Sequence, residues 1–125
     1  MKPIKFKYIF SNGKEFKNTI LTLKEIENGQ LKAFTNNIPC SFKLIATCQF
    51  TGEEDKNGVD IFKGDIIHSD TYNENFEISF DDACFTYIIS RADYNYLHEI
   101  SLNRSKVIGN IYENKELLEE ERCFK

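Results

Sequence analysis

Histidine and cysteine are the residues of this chain that most readily bind metals or act as nucleophiles. The two histidines, His68 and His98, are thirty positions apart, and neither has another ligand at metal-binding spacing. No Cys-x-x-Cys pair occurs, which argues against a zinc knuckle and a redox motif. The four cysteines are Cys40, Cys48, Cys84 and Cys123. We expect no metal and no cofactor, and reduced, buried or half-buried thiols.

Paired carboxylates for acid–base chemistry would have to come from a small set of aspartates. The candidates are Asp60, Asp65, Asp81 and Asp82. Asp60 and Asp65 lie at predicted bends, where an aspartate side chain stabilises a turn by bonding to nearby backbone. Neither a glycine-rich phosphate loop nor a Gly-x-Ser-x-Gly motif is present. A cysteine brought near a histidine by folding would make a nucleophile and base, but no local spacing supports it. The sequence therefore predicts a protein that is not an enzyme.

Aromatic residues are concentrated in residues 72–80 and 87–96. Core packing accounts for most of them. Three tyrosines lie in polar surroundings, and an arginine lies within the second stretch, so these four side chains are candidates for an exposed binding surface. They are Tyr72, Arg91, Tyr94 and Tyr96.

The charge of the chain bears on the class of partner. Its 125 residues carry 16 basic and 20 acidic side chains, a formal net charge of −4, which disfavours binding to a phosphate backbone. Lysines are frequent at the start and glutamates near the end. A protein partner or self-association is therefore expected ahead of nucleic acid.

The length of the chain indicates how many domains it forms, and its N-terminus indicates where in the cell it is expected. With 41% apolar residues, 125 residues are enough for one core, so a single domain over residues 1–125 is expected. Lysines alternate with apolar residues from the start, without the apolar run of a signal peptide or membrane span. We expect a cytoplasmic protein that does not bind membranes.

Alternating apolar and polar residues predict strands along most of the chain. Asn-Gly pairs at 12–13 and 28–29 predict hairpin turns. The expected strands are residues 4–10, 19–27, 30–34, 42–50, 59–62, 64–67, 76–80, 83–90, 94–100 and 106–112. Asn114 is a suitable N-cap for a helix through residue 121. The predicted fold is all-β and mainly antiparallel, a curled sheet or small barrel or sandwich, with a short C-terminal α-helix.

Two segments are recognisable as wholes: QFTGEEDKNGVDIFKGDII at residues 49–67 and VIGNIYENKELL at residues 107–118. Both resemble the signature blocks of the YopX family of bacteriophage and prophage proteins. The chain departs from the family pattern at Glu53, where an apolar residue is common, and at Lys115, where proline is common. The resemblance implies a mainly β domain, carried with phage accessory genes, whose biochemical role is not established. It brings no catalytic residues.

The signature residues themselves indicate structure. The glycines are expected at special backbone positions, and Asn57 and Asp65 are expected in turns. The expected core residues of these blocks are Phe50, Ile61, Ile66, Ile108 and Ile111.

The leading hypothesis is a non-enzymatic phage accessory protein that binds another protein and forms a homo-oligomer. Exposed strand edges, which a small β domain must cover, motivate the oligomer. An alternative is a small β-barrel that binds nucleic acid through the N-terminal lysines and tyrosines. An enzyme with a cysteine or aspartate centre is a third hypothesis, and no spacing in the sequence supports it.

Overall fold

A computed structural model describes residues 4–70, 73–81, 84–88, 94–96 and 104–117. These residues form nine strands and two helices. The strands are β1 (Lys5–Ser11), β2 (Phe16–Thr22), β3 (Lys43–Glu54), β4 (Asp60–Phe62), β5 (Asp65–Ser69), β6 (Glu74–Asp81), β7 (Cys84–Ile88), β8 (Tyr94–Tyr96) and β9 (Ser105–Asn110); the helices are α1 (Leu23–Glu27) and α2 (Gln30–Asn37). One sheet has the order β2-β1-β3-β4 and the other β8-β7-β6-β5-β9. The mainly antiparallel fold class is confirmed, and the described strands close no barrel.

Two compact units divide the chain at Gly52: Met1–Gly52 and Glu53–Lys125. The boundary falls inside β3. The expectation of a single domain stays a prediction, and each unit is described by itself below.

The first unit begins with the predicted hairpin of β1 and β2. Lys5 pairs with Thr22 at one end of the ladder and Ser11 with Phe16 at the other. The turn is therefore a four-residue loop rather than the tight two-residue turn that the Asn-Gly pair suggested. Gly13 has a positive φ of 94°. The Asn12 side-chain oxygen accepts hydrogen bonds from the N–H groups of Lys14 and Glu15. This side-chain bonding stabilises the longer loop.

The predicted strand over residues 19–27 is wrong in its second half, where α1 begins. Thr22 Oγ1 accepts from the Glu25 N–H at 3.2 Å, and Glu25 Oε1 accepts from the Thr22 N–H at 2.8 Å. This reciprocal capping box satisfies two N–H groups at the helix start. The Thr-x-x-Glu spacing was present in the sequence.

The second predicted hairpin, at Asn28-Gly29, is also wrong. Gly29 has a left-handed conformation with a φ of 85°, and its N–H donates to the Ile26 carbonyl at 3.0 Å. Gly29 thereby ends α1 and starts α2. Helix α2 takes the place of the predicted strand over residues 30–34.

The apolar faces of both helices close the core of the first unit. The cluster contains Tyr8, Phe10, Leu21 and Phe42, with Phe6, Ile26, Leu31, Phe34 and Ile38 packed against it. Phe10 and Phe34 have ring centroids 5.5 Å apart in a tilted arrangement. One face of the β1–β2 hairpin is therefore buried beneath α1 and α2.

The second unit is built around β5, which pairs antiparallel with both β6 and β9. Ile66 and Ile67 are consecutive and both fully buried, so both faces of this strand are covered. Ile67 lies opposite the buried Phe76 on β6. The predicted core positions Phe50, Ile61 and Ile66 are confirmed as buried, whereas Ile108 and Ile111 are half-buried.

The predicted C-terminal helix falls largely outside the described residues. A helical turn begins at Glu116 and Leu117, and the Leu117 N–H donates to the Asn114 carbonyl at 3.0 Å. The Asn114 side-chain oxygen accepts from the Asn110 N–H, so it bonds backwards along the chain. Neither helix of the described chain has the length and apolar character needed to cross a membrane.

Candidate interaction surface

The side chains predicted to form a binding surface fall mostly beyond what the structure describes. Tyr72 and Arg91 lie outside the described residues. Tyr94 and Tyr96 form the ends of β8, which is an edge strand of the five-stranded sheet. Their role in binding stays a prediction.

A second sheet edge, formed by β2, is described in full. Among the strands that the structure describes, β2 is the outermost of its sheet and has one neighbour, β1. The Leu23 N–H donates to the Ile4 carbonyl at 3.2 Å, and the Asn12 N–H donates to the Glu15 carbonyl at 3.3 Å. Both pairs continue the β1–β2 register.

The positions of these two bonds determine which residues of β2 direct their backbone groups outwards. Hydrogen-bonded and non-hydrogen-bonded pairs alternate along an antiparallel ladder. Lys17, Thr19 and Leu21 therefore bond to β1. The N–H and C=O groups of the alternate residues point to the open edge; these are Phe16, Asn18 and Ile20.

The open edge also exposes apolar side chains. Phe16 is 38% exposed and Ile20 is 46% exposed. Because side chains alternate along a strand, both lie on the opposite face from Leu21, which is buried beneath the helices. Sequence reasoning missed this surface, since no pattern in residues 16–20 tells an edge strand from a central one.

The first unit is strongly basic and the second strongly acidic. Met1–Gly52 contains eight lysines and three acidic residues, a net charge of +5, whereas Glu53–Lys125 contains eight basic and 17 acidic residues, a net charge of −9. The overall charge of −4 conceals this difference. Lys14 and Lys17 are exposed beside the open edge of β2, and Lys17 Nζ lies 5.3 Å from the centre of the Phe42 ring.

The polar residues of the two signature blocks bond to each other and to the backbone. Asp55 is 7% exposed; its Oδ1 accepts from the N–H groups of Asn57 and Val59, and its Oδ2 accepts from that of Val107. Desolvation opposes ionisation of this carboxyl, but the three N–H groups and the nearby Lys56 charge together hold the pKa of Asp55 below its ordinary value. Asp55 therefore joins the loop after β3 to β9.

The turn between β4 and β5 uses another aspartate. The buried Asp65 accepts a hydrogen bond from the Phe62 N–H at 2.8 Å, which confirms its predicted role in a turn. Gly64, at a φ of 90°, donates to the Ile78 carbonyl and accepts from the Ile111 N–H. The Asp65 carboxylate thus stabilises the backbone of the turn between β4 and β5.

The second signature block forms an asparagine-rich turn after β9. Asn110 Oδ1 accepts from the N–H groups of Tyr112 and Glu113, both at 2.9 Å. Asn114 Oδ1 accepts from the Asn110 N–H at 3.2 Å. A Cβ atom at Gly109 would overlap the Asn114 side chain, so this position requires glycine.

The remaining candidates for metal binding or nucleophilic chemistry are the described histidine, His68, and two described cysteines, Cys40 and Cys48. His68 Nδ1 lies 2.8 Å from Asn75 Oδ1, and Asn75 Nδ2 donates to the Leu117 carbonyl at 3.1 Å. Among the described side chains, no group of three His, Cys, Asp or Glu is placed to hold a metal ion. Cys48 is buried as expected, but Cys40 is exposed, so the expectation of burial was wrong there.

An exposed ion pair joins Lys56 and Asp70 at 2.8 Å. The hydrogen bond from Lys56 holds the pKa of Asp70 below its ordinary value, and the charges of His68 and Lys106 act in the same direction. A lone solvated pair of this kind contributes little to stability.

Comparison with known proteins places these signature blocks in a family. A family model described as "YopX protein" matches residues 2–119. A search of curated proteins found no match.

Among solved structures, the crystal structure of protein EF1440 from Enterococcus faecalis is similar to this chain. The two sequences are 26% identical, and the match covers 89% of this chain and 74% of the other, with a TM-score of 0.47.

Proposed function

This chain belongs to the YopX protein family, and from that premise we propose that it is a non-enzymatic accessory protein, carried by a phage or prophage, that binds another protein in the bacterial cytoplasm. The observation that carries the proposal is the open edge of β2. It combines outward-directed backbone groups with the exposed apolar side chains of Phe16 and Ile20. An unpaired edge with exposed apolar residues invites pairing with another chain.

The polar residues of the signature blocks support a role in binding rather than in catalysis. Asp55, Asp65 and Asn110 each bond to backbone N–H groups, so these side chains are used in holding loops. A carboxylate used in this way is less available as a general base. Turnover of any substrate in a panel of phosphoesters, peptides and nucleotides, lost on substitution of one residue, would contradict this part of the proposal.

The test is affinity purification of the tagged protein from its bacterial host, with and without nuclease. We expect a protein that survives nuclease treatment and that binds the purified chain at a fixed ratio when both are recombinant. Failure of every recovered protein to bind the purified chain would overturn the proposal.

A nucleic-acid binder is the second candidate, and the net charge of +5 on Met1–Gly52 favours it. The closed barrel that this hypothesis assumed is not found among the described strands. Binding to single-stranded DNA or RNA that weakens steeply with salt would support this function. Absence of binding at low salt would dismiss it.

Self-association is a further part of the proposal, since a second copy is one way to cover a strand edge other than that of β2, such as the edge formed by β8. The oligomeric state measured by light scattering tests it directly.

A further inference from the structure

We infer that β2 binds its partner by antiparallel strand addition, and that the partner supplies a short extended segment with an apolar residue at each end and polar and acidic residues between them. The inference rests on the proposed protein-binding function and names the chemistry of the partner. In strand addition, main-chain hydrogen bonds provide affinity and alternate side chains provide specificity.

The length of the site follows from the register of β1 and β2. Phe16, Asn18 and Ile20 together direct three N–H and three C=O groups to the open edge. The outward N–H of Thr22 donates to Glu25 Oε1 in the capping box, so the pairing edge ends before α1. The partner segment therefore has about five residues, from the position opposite Ile20 to the position opposite Phe16.

The side-chain pattern of the segment follows from the two faces of β2. Residues directly opposite each other in an antiparallel pair project from the same face. The first and fifth residues of the segment would lie beside the exposed Ile20 and Phe16, and we expect them to be apolar. The fourth would lie opposite Lys17 on the other face, and we expect it to be acidic.

The positive charge of Met1–Gly52 favours an acidic segment over a second copy of β2 as the occupant of the open edge. Antiparallel pairing of two β2 strands about Asn18 would bring together two units that each carry +5. Lys14 and Lys17 of each copy would lie near the same interface, and like charges there oppose association. A segment with acidic residues meets the same lysines favourably.

The probe is a fluorescein-labelled peptide with blocked ends, whose central residues read Val-Thr-Ser-Glu-Ile between flanking glutamates. Its affinity is measured by fluorescence anisotropy. Two variants carry a single N-methyl group, on the serine amide, which faces β2 in the proposed register, or on the glutamate amide, which faces away. We expect methylation of the serine amide to weaken binding at least about tenfold more than methylation of the glutamate amide. Equal effects would overturn the inference.

Matched variants of the protein test the same contacts. Asn18→Pro removes one outward N–H, whereas Asn18→Ala keeps it. Lys17→Glu reverses a charge at the edge, whereas Lys43→Glu makes the same change on β3, with β1 in between. We expect Asn18→Pro and Lys17→Glu each to weaken peptide binding at least about tenfold. We expect the controls, Asn18→Ala and Lys43→Glu, to change it less than about threefold. If Asn18→Pro disturbs folding, the methylated peptides provide the same comparison on the unaltered protein.

Failure of this inference is distinguishable from failure of the proposed function. If the unaltered chain binds no peptide of this pattern below about 1 mM, or if a recovered partner protein binds Asn18→Pro and Asn18→Ala equally, strand addition is wrong while protein binding stands. If no recovered protein binds the purified chain, the proposed function fails first.

Discussion

Oδ2 of Asp55 accepts a hydrogen bond at 2.9 Å from the backbone N–H of Val107, 52 residues later in the chain. The Lys56 N–H donates to the Ser105 carbonyl beside it, and both bonds lie on the edge of β9 that faces away from β5. The two sequence blocks that identify the family are therefore neighbours in space. Their polar residues hold one loop and one strand together.

Replacing Asp55 with asparagine should destabilise the protein by about 1–3 kcal/mol at neutral pH, because an amide has one acceptor oxygen for three N–H donors. Urea denaturation followed by circular dichroism measures the loss. Asp70→Asn is the matched control, since that carboxyl lies in an exposed ion pair, and a smaller loss is expected. Equal losses would contradict the role assigned to Asp55.

The pKa of Asp55 also predicts how stability depends on pH. Its pKa is below the ordinary value of 3.8, so ionised Asp55 stabilises the folded state at and above that pH. This contribution is lost as the pH falls through the lowered folded-state pKa. We expect the free energy of unfolding to fall less steeply in acid for Asp55→Asn than for the unaltered chain. Parallel acid limbs would contradict this assignment.

Gly109→Ala should destabilise the second unit by about 1–3 kcal/mol, because the added Cβ overlaps the Asn114 side chain. Gly109 is not among the glycines with a positive φ, so the loss reports the overlap rather than backbone strain. In a double-mutant cycle, Asn114→Gly removes the overlapping atoms. We expect Gly109→Ala to cost less in that background, and additive losses would show that the overlap is not the cause.

Thr22→Ala should destabilise the first unit by about 1 kcal/mol, since it removes the side-chain acceptor at the start of α1. Thr35→Ala is the control, because the exposed Thr35 hydroxyl donates to the Lys32 carbonyl within α2 and caps no helix start. Thermal unfolding compares the two. A larger effect of Thr35→Ala would be inconsistent with the capping box.

The open edge of β2 predicts an alternating pattern of amide hydrogen exchange. The N–H groups of Lys17, Thr19 and Leu21 bond to β1 and should exchange slowly, whereas those of Phe16, Asn18 and Ile20 should exchange fast. Exchange followed by NMR resolves each amide. Uniform protection along β2 in the free protein would show that its edge is already covered.

Local patterns predicted most of the strands. Alternation of lysine with aromatic residues indicated β1, and the apolar runs after residue 58 indicated β4 and β5. The alternation and the apolar runs are patterns among residues adjacent in sequence, so they can be recognised from the sequence alone.

The helices were missed because each is too short for its period to be read. α1 has five residues and α2 has eight, and their Leu, Ile and Phe residues also suit strands. The Thr22-x-x-Glu25 spacing was the available signal. The Asn-Gly pair at residues 28–29 indicated a turn, but it joins two helices rather than two strands.

The candidate surface could not be predicted for a different reason. Whether β2 lies at an edge depends on the order of strands in the sheet, and that order is set by partners distant in sequence. The bond from Val107 to Asp55 is equally non-local. Residues 16–20 alone do not indicate that β2 lies at an edge, and the residues around Asp55 do not indicate its bond to Val107.

The position of β9 beside β5 also sets an order on folding during synthesis. The apolar cluster of the first unit uses residues between Phe6 and Phe42, so its parts are available early in translation. β5 acquires its second neighbour after the ribosome has added Ser105–Asn110. Until then the nascent chain presents a half-paired apolar strand to chaperones and to other chains. A ribosome stalled before Ser105 would release a product prone to aggregation, so protein yield depends on completing the last strand.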